Sequence, residues 1–198
     1  MDTLQRKIQI QLQAGALVII VESDDEVLAA AAASMAVMSL PNQNPPTNTS
    51  AIEPDFLTVL AKPQGAGTRV VIARDLLGSN PTAFTIRMVR EWALQQHNPP
   101  YPRLILIEIV GTKIPATLKG DVVVVKEDPL TYKDYGHELE SFLHDQGIPK
   151  PEEAEKKAIV EAFSGITRSQ AARIMALCFV TQKKLDADWI KNYLESQK

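Results

Sequence analysis

The chain reads as an α/β protein, with a mostly parallel sheet flanked by helices and a small helical lid at its C-terminal end. Four short apolar runs carry the first half of this reading: Leu17 to Val21, Val70 to Ala73, "RLILIEIVG" and "DVVVV". None alternates with polar residues, so each suits a strand buried on both faces, as in parallel sheets. Helical patterns lie among them, the order that builds parallel sheets. From Pro129 onward the strand signals stop and only helical patterns follow.

The 198 residues can hold one domain with a real core and a small appendage. Hydrophobic residues at 45% and charged ones at 23% exclude a disordered chain and imply a packed core. A net charge of −3 gives no long-range attraction for phosphate backbones or anionic lipid, so nucleic acid is not the expected partner. Cys178 is the only cysteine, which rules out an internal disulfide and suits a cytoplasmic setting. It reads as a buried small hydrophobe. The opening "MDTLQRKIQIQLQAG" is too polar for a secretory signal, and no apolar run reaches the roughly 18 residues of a membrane span.

Each element follows from local signals. "GALVIIVESDDEVLAAAAASMAVMSL" is strand, turn and helix, ending before Pro41. Ser23 and Glu26 have capping-box spacing, with Asp24 and Asp25 where the helix dipole favours negative charge. A divalent-metal reading of these acids with Glu22 is weaker, because capping already accounts for Ser23 and Glu26. Residues 41–55 are rich in Pro, Asn, Thr and Ser and read as a loop, and "FLTVLA" leans to helix. In "NPTAFTIRMVREWALQQHN", Phe84, Met88 and Trp92 or Ala93 form one apolar face, with Arg87 and Arg90 off it. "KDYGHELESFLHDQG" is a helix closed by Gly147 and two prolines. Three more helices follow, divided near Gly165 and Lys184, with starts at Thr167 and at Leu185 to Asp186. Ile174, Leu177 and Cys178 mark an apolar stripe by which the lid packs. The expected boundary puts an α/β core at 1–148 and the lid at 149–198.

Little catalytic chemistry is on offer. "AKPQGAGTRVVIARD", residues 61–75, resembles a damaged phosphate-binding loop, but Lys62 stands for the framing glycine, Thr68 for the lysine and Arg69 for the Ser/Thr. A strand follows where a helix should, so Gly65 to Thr68 reads as a turn. His137 and His144 sit two helical turns apart, about 10 Å along the axis, too far to share an ion. There is no G-x-S-x-G elbow. Asp75 is the most notable carboxylate, because it ends a buried strand and ligands of parallel sheets bind outside the carboxyl ends of strands; its plainer reading is a turn residue.

The order of elements resembles an AAA+ ATPase module. It is most similar to the degenerate N-terminal module of plastid and cyanobacterial AAA-type ATPases, which lacks its own Walker A loop. The parallels are "LVIIVESDDEVL" for the opening strand and helix, "VVIARDLL" at the Walker B strand, "RLILIEIVGTKIPATLKGDVVVV" around sensor 1, and "FSGITRSQAARIMALCFV" in the lid. The resemblance implies Arg74 where Walker B holds its metal carboxylate and Asp75 as a shortened catalytic acid. Glu108 and Thr112 are loose sensor 1 candidates, and Arg168 matches the sensor 2 arginine.

The resemblance therefore implies a non-catalytic interaction module, with no metal and no resident cofactor, that packs beside an active AAA+ subunit or self-associates. Relatives carry a catalytic module after this one, so here the partner is expected in trans. Arg87 and Arg90 are the interface candidates, since arginine pairs carboxylates with little desolvation cost. Two alternatives stand beside this: a weak ATP- or ADP-binding enzyme using Asp75 and Arg168, and a clamp-loader-like subunit.

Overall fold

In a computed structural model, residues 3–41, 45–50, 70–78, 81–94 and 103–197 are described. They form α1 (Thr3–Gln13), β1 (Val18–Glu22), α2 (Glu26–Met38), β2 (Thr47–Ser50), β3 (Val70–Arg74), α3 (Ala83–Leu94), β4 (Arg103–Glu108) and β5 (Val123–Lys126). Helices α4 (Tyr132–Asp145), α5 (Glu153–Ala162), α6 (Arg168–Gln182) and α7 (Ala187–Ser196) follow. The chain divides into two compact units, Met1–Asp128 and Pro129–Lys198. Helix α4 thus falls in the helical unit, whereas a boundary at 148 would leave it in the α/β core.

In the first unit the sheet is wholly parallel, in the order β2-β3-β4-β1-β5. Apolar residues line both of its faces. Ile19, Val21, Ile72, Ile105 and Ile107 pack with Leu4, Ile8 and Leu12 of α1 and the buried alanines of α2. Val18, Ile20, Val71, Ala73, Leu104 and Leu106 pack with Val89 and Ala93 of α3 and with Leu118 in a short 3-10 turn. Burial on both faces is why these strands read as unbroken apolar runs.

Three local readings in this unit are corrected. Part of the 41–55 loop is strand: β2 pairs with β3, Thr47 opposite Val71. Its sequence TNTS carries no apolar pattern, so nothing local announced it; the open edge of β3 selects it. The N-cap of α2 is Asp25, whose carboxylate accepts from Leu28 N at 3.1 Å, while Ser23 sits outside the helix with its Oγ accepting from Asp25 N. On α3 the buried positions are Thr85, Val89 and Ala93, and Phe84 is 60% exposed. Thr82 sets that rotation: its hydroxyl accepts from Thr85 N and bonds the Thr85 hydroxyl at 2.8 Å, so Thr85 is buried with its polar group satisfied. The loop-like residues 61–69 and "FLTVLA" lie outside the described residues.

The helical unit has a core of its own around Phe163, with Leu139, Leu143, Ile159, Ala171, Met175 and Ile190. Thr167 and Asp134 anchor it through local chemistry. Thr167 forms a capping box with Gln170 at the start of α6, and Thr131 forms one with Asp134 at the start of α4. Asp186 caps α7 by accepting from Trp189 N at 3.0 Å. Cys178 is buried, with Sγ accepting from Asp186 N, and burial raises its thiol pKa. The buried stripe of α6 is Ala171, Ile174, Met175 and Cys178; Leu177 and Val180 face outward.

That correction is measurable. Ile174→Ala should cost about 2–4 kcal/mol as a large-to-small core change, and Leu177→Ala less than about 1 kcal/mol as a surface change. Urea denaturation of both variants checks the order; equal losses would restore the stripe read from sequence.

Candidate functional site

In open parallel sheets, ligands bind where neighbouring strands send their connections to opposite faces. Here β1 and β4 are such neighbours. Helix α2 follows β1 onto the face of Ile19 and Val21, and the 3-10 turn follows β4 onto the face of Ile20 and Leu106. The candidate site therefore lies outside their carboxyl ends.

Two buried carboxylates end these strands in register, Glu22 on β1 and Glu108 on β4. Neighbouring strands lie about 4.8 Å apart. Glu22 Oε2 is paired with Lys126 Nζ on β5 at 2.9 Å. Glu108 turns to the segment after β3, where Oε1 accepts from Leu77 N at 2.9 Å and Oε2 from Gly78 N at 3.2 Å. Burial pushes the Glu108 carboxyl pKa up to about 7; the bonds from the turn's N–H groups oppose that rise, and the charge on Asp75 adds to it. The turn itself is bent, with Asp75 at φ 54 and Gly78 at φ 43. Glycine meets the second of these without the cost a side chain would bear.

The connection from β1 to α2 is Ser23, Asp24 and Asp25 alone. A phosphate-cradling loop needs a longer glycine-framed segment between strand and helix, with a lysine and a hydroxyl at its end. Nothing of that kind fits in three residues. Ser23 N donates to the Glu108 carbonyl at 3.0 Å, and the Ser23 hydroxyl donates to the Glu127 carboxylate. Asp25 already occupies the first turn of α2. The helix N-terminus, an anion receptor in nucleotide-binding folds, is here closed by the chain's own carboxylate.

The residues singled out by sequence are scattered. Asp75 is exposed at the end of β3, its N–H donating to Ile107 O at 2.8 Å, and Arg74 precedes it on the strand. Arg168 opens α6 in the helical unit and lies 3.0 Å by Nε from Glu138 Oε1 of α4, an ion pair whose buried Nε is not aligned for a hydrogen bond. Asp75 and Arg168 belong to different units, and each has its own local role. Arg87 pairs with Glu91 one turn on, at 2.8 Å, and Arg90 with Asp121 at 3.2 Å; both arginines are exposed. Thr112 lies in the turn after β4, its N–H donating to Ile109 O. Thr68 and Arg69 lie outside the described residues. His137 and His144 are both exposed on α4. Among the described residues no group of three His, Cys, Asp or Glu side chains is placed to hold a metal ion.

Glu108 is the residue whose role sequence reasoning missed. Its signal was present: a lone charge inside "RLILIEI" must find partners or cost several kcal/mol when buried.

Because the folded state holds this proton more tightly than the unfolded chain, the Glu108 contribution is full below about pH 4.5 and is lost as pH rises through about 7. Stability of the α/β unit should fall between about pH 5 and 8, by an amount on the order of 3 kcal/mol at most. Glu108→Gln should flatten that slope in urea denaturation across the range. An unchanged slope would assign it to other groups.

Solved structures share the fold. Thermotoga maritima RuvB, a Holliday junction branch migration motor, matches with a TM-score of 0.67 at 13% identity, over 98% of this chain and 68% of that one. Two substituted forms of the same protein match at TM-scores of 0.66 and 0.64, each at 13% identity, with the same coverage of both chains. The α/β class, with a mostly parallel sheet flanked by helices and a helical C-terminal unit, is as expected from the order of elements. No protein-family model matches the chain, and no curated protein matches it in sequence.

Proposed function

We propose that this chain is a non-catalytic AAA+-like interaction module, related in kind to the degenerate modules of plastid and cyanobacterial AAA-type ATPases, that works in the cytoplasm beside an active AAA+ ATPase or a second copy of itself. The observation that carries this reading is the three-residue turn from β1 to α2, closed by Asp25. Triphosphate binding rests on an N–H cradle, a lysine and a metal carboxylate. The turn supplies carboxylates instead, and Arg74 stands at the Walker-B-like metal position.

Exposed apolar surface supports the interaction half. Helix α2 carries no charge after Glu26 and leaves Val27, Met35 and Met38 more than half exposed. Helix α6 leaves Val180 exposed beyond its buried stripe. Solvated helix faces are ordinarily polar, and clustered apolar ones mark contact sites. Arg87 and Arg90 on α3 would add the charged rim, exchanging their local carboxylates for a partner's.

A weak nucleotide site built from Asp75 and Arg168 has less support, since Arg168 is engaged by Glu138. For a clamp-loader-like subunit, the net charge of −3 argues against direct contact with DNA. No described helix is long and apolar enough to cross a membrane.

Two measurements test the reading. Purified protein should show no magnesium-dependent ATP turnover above background; turnover that vanishes in Asp75→Ala would favour the enzyme. Arg87→Glu with Arg90→Glu should abolish self-association or capture of an AAA+ partner while changing stability by less than about 1 kcal/mol, as expected for exposed ion pairs. Association that survives both changes in light scattering or pull-down would remove these arginines from the interface.

A further inference from the structure

We propose that Glu108 and the Asp75–Gly78 turn form a proton-controlled latch at the carboxyl edge of the sheet, gripping both the Leu77 and Gly78 N–H groups when ionised and only one when protonated. The geometry is specific. Each carboxylate oxygen accepts from one of two successive N–H groups, at 2.9 and 3.2 Å, and the side chain is fully buried. A carboxylate can satisfy both donors. A carboxylic acid keeps its carbonyl for one donor, but its hydroxyl is itself a donor and accepts poorly from the other.

The surroundings decide where the latch titrates. From the turn, Asp75 faces Glu108 with negative charge. From β1, Glu22 is its in-register neighbour, already paired with Lys126 of β5. Beyond them, Glu127 holds the Ser23 hydroxyl and Asp25 caps α2. Among the described residues no cationic side chain bonds Glu108, so burial and a negative neighbour act together against ionisation while the backbone N–H groups of Leu77, Gly78 and Leu76 favour it. The balance lies near neutrality, at about 7.

The turn has reason to respond. Asp75, a non-glycine residue in the left-handed region at φ 54, is held there against a cost of about 1 kcal/mol or more. Its own N–H is tied to Ile107 O, so the bonds that hold the rest of the turn are those to Glu108. Loosening one of them at lower pH changes the surface that carries Asp75. Binding at this edge thereby acquires a pH dependence in the neutral range, whatever the partner.

The test is a pH titration of the full chain by 15N–1H correlation NMR, following the Leu77 and Gly78 amides. The latch predicts that both move with one shared midpoint near 7, and that Glu108→Gln abolishes the movement while signal dispersion stays native. Amides that do not titrate between about pH 5.5 and 8.5 would overturn it, as would movement that persists in Glu108→Gln. If Glu108→Gln does not fold, Asp75→Asn decides instead. Removing that charge should lower the midpoint, and an unmoved midpoint would overturn the latch.

Discussion

A buried carboxylate at the end of β4 organises the carboxyl edge of the sheet. Glu108 sits where the sheet's connections diverge, and its two oxygens hold the turn that leads from β3. Its carbonyl accepts the Ser23 N–H, which places the connection from β1 to α2. One residue thus ties together the ends of three strands. An unpaired charge in that position would be prohibitive, so the bent Asp75–Gly78 turn and the short acidic turn at Ser23 are best understood as parts of one arrangement that satisfies it.

That arrangement engages, among the described residues, groups of the kind that phosphate-binding folds leave open. In phosphate-binding folds the helix N-terminus and loop N–H groups are left open for an anion brought from outside. Here Asp25 accepts from Leu28 N, Glu108 accepts from Leu77 and Gly78, and Ser23 engages Glu127. The anions are internal. A fold shared with a branch migration motor is held together at the carboxyl edge of its sheet by its own side chains, which is why the interaction reading is preferred to an enzymatic one.

Much of the fold was legible because burial on both faces writes itself into sequence as unbroken apolar runs. β1, β3 and β4 showed in that way, whereas β5, read alike, is an edge strand that leaves Val124 exposed, and the C-terminal helices showed by their helical patterns. β2 did not, since TNTS gains its strand conformation from the edge of β3 and carries no pattern of its own. Of the helix stripes, Met88, Ala93, Ile174 and Cys178 pack as read, but Phe84 and Leu177 do not, because size and hydrophobicity do not set helix rotation; the Thr82 to Thr85 bond does so at α3. The candidate site was legible only in its defects. Missing glycines, lysine and metal carboxylate can be seen in a sequence, but the pairing of Glu108 with residues some 30 positions earlier cannot.

The central claim is that the carboxyl edge is already filled and does not take a nucleotide. Direct titration of the protein with ATP and Mg2+ in a calorimeter tests it without reference to turnover. The account predicts no saturable heat up to about 1 mM, the upper end of ordinary substrate affinities. A saturable isotherm well below that concentration, shared by ADP and weakened by Asp75→Ala or Arg168→Ala, would contradict it.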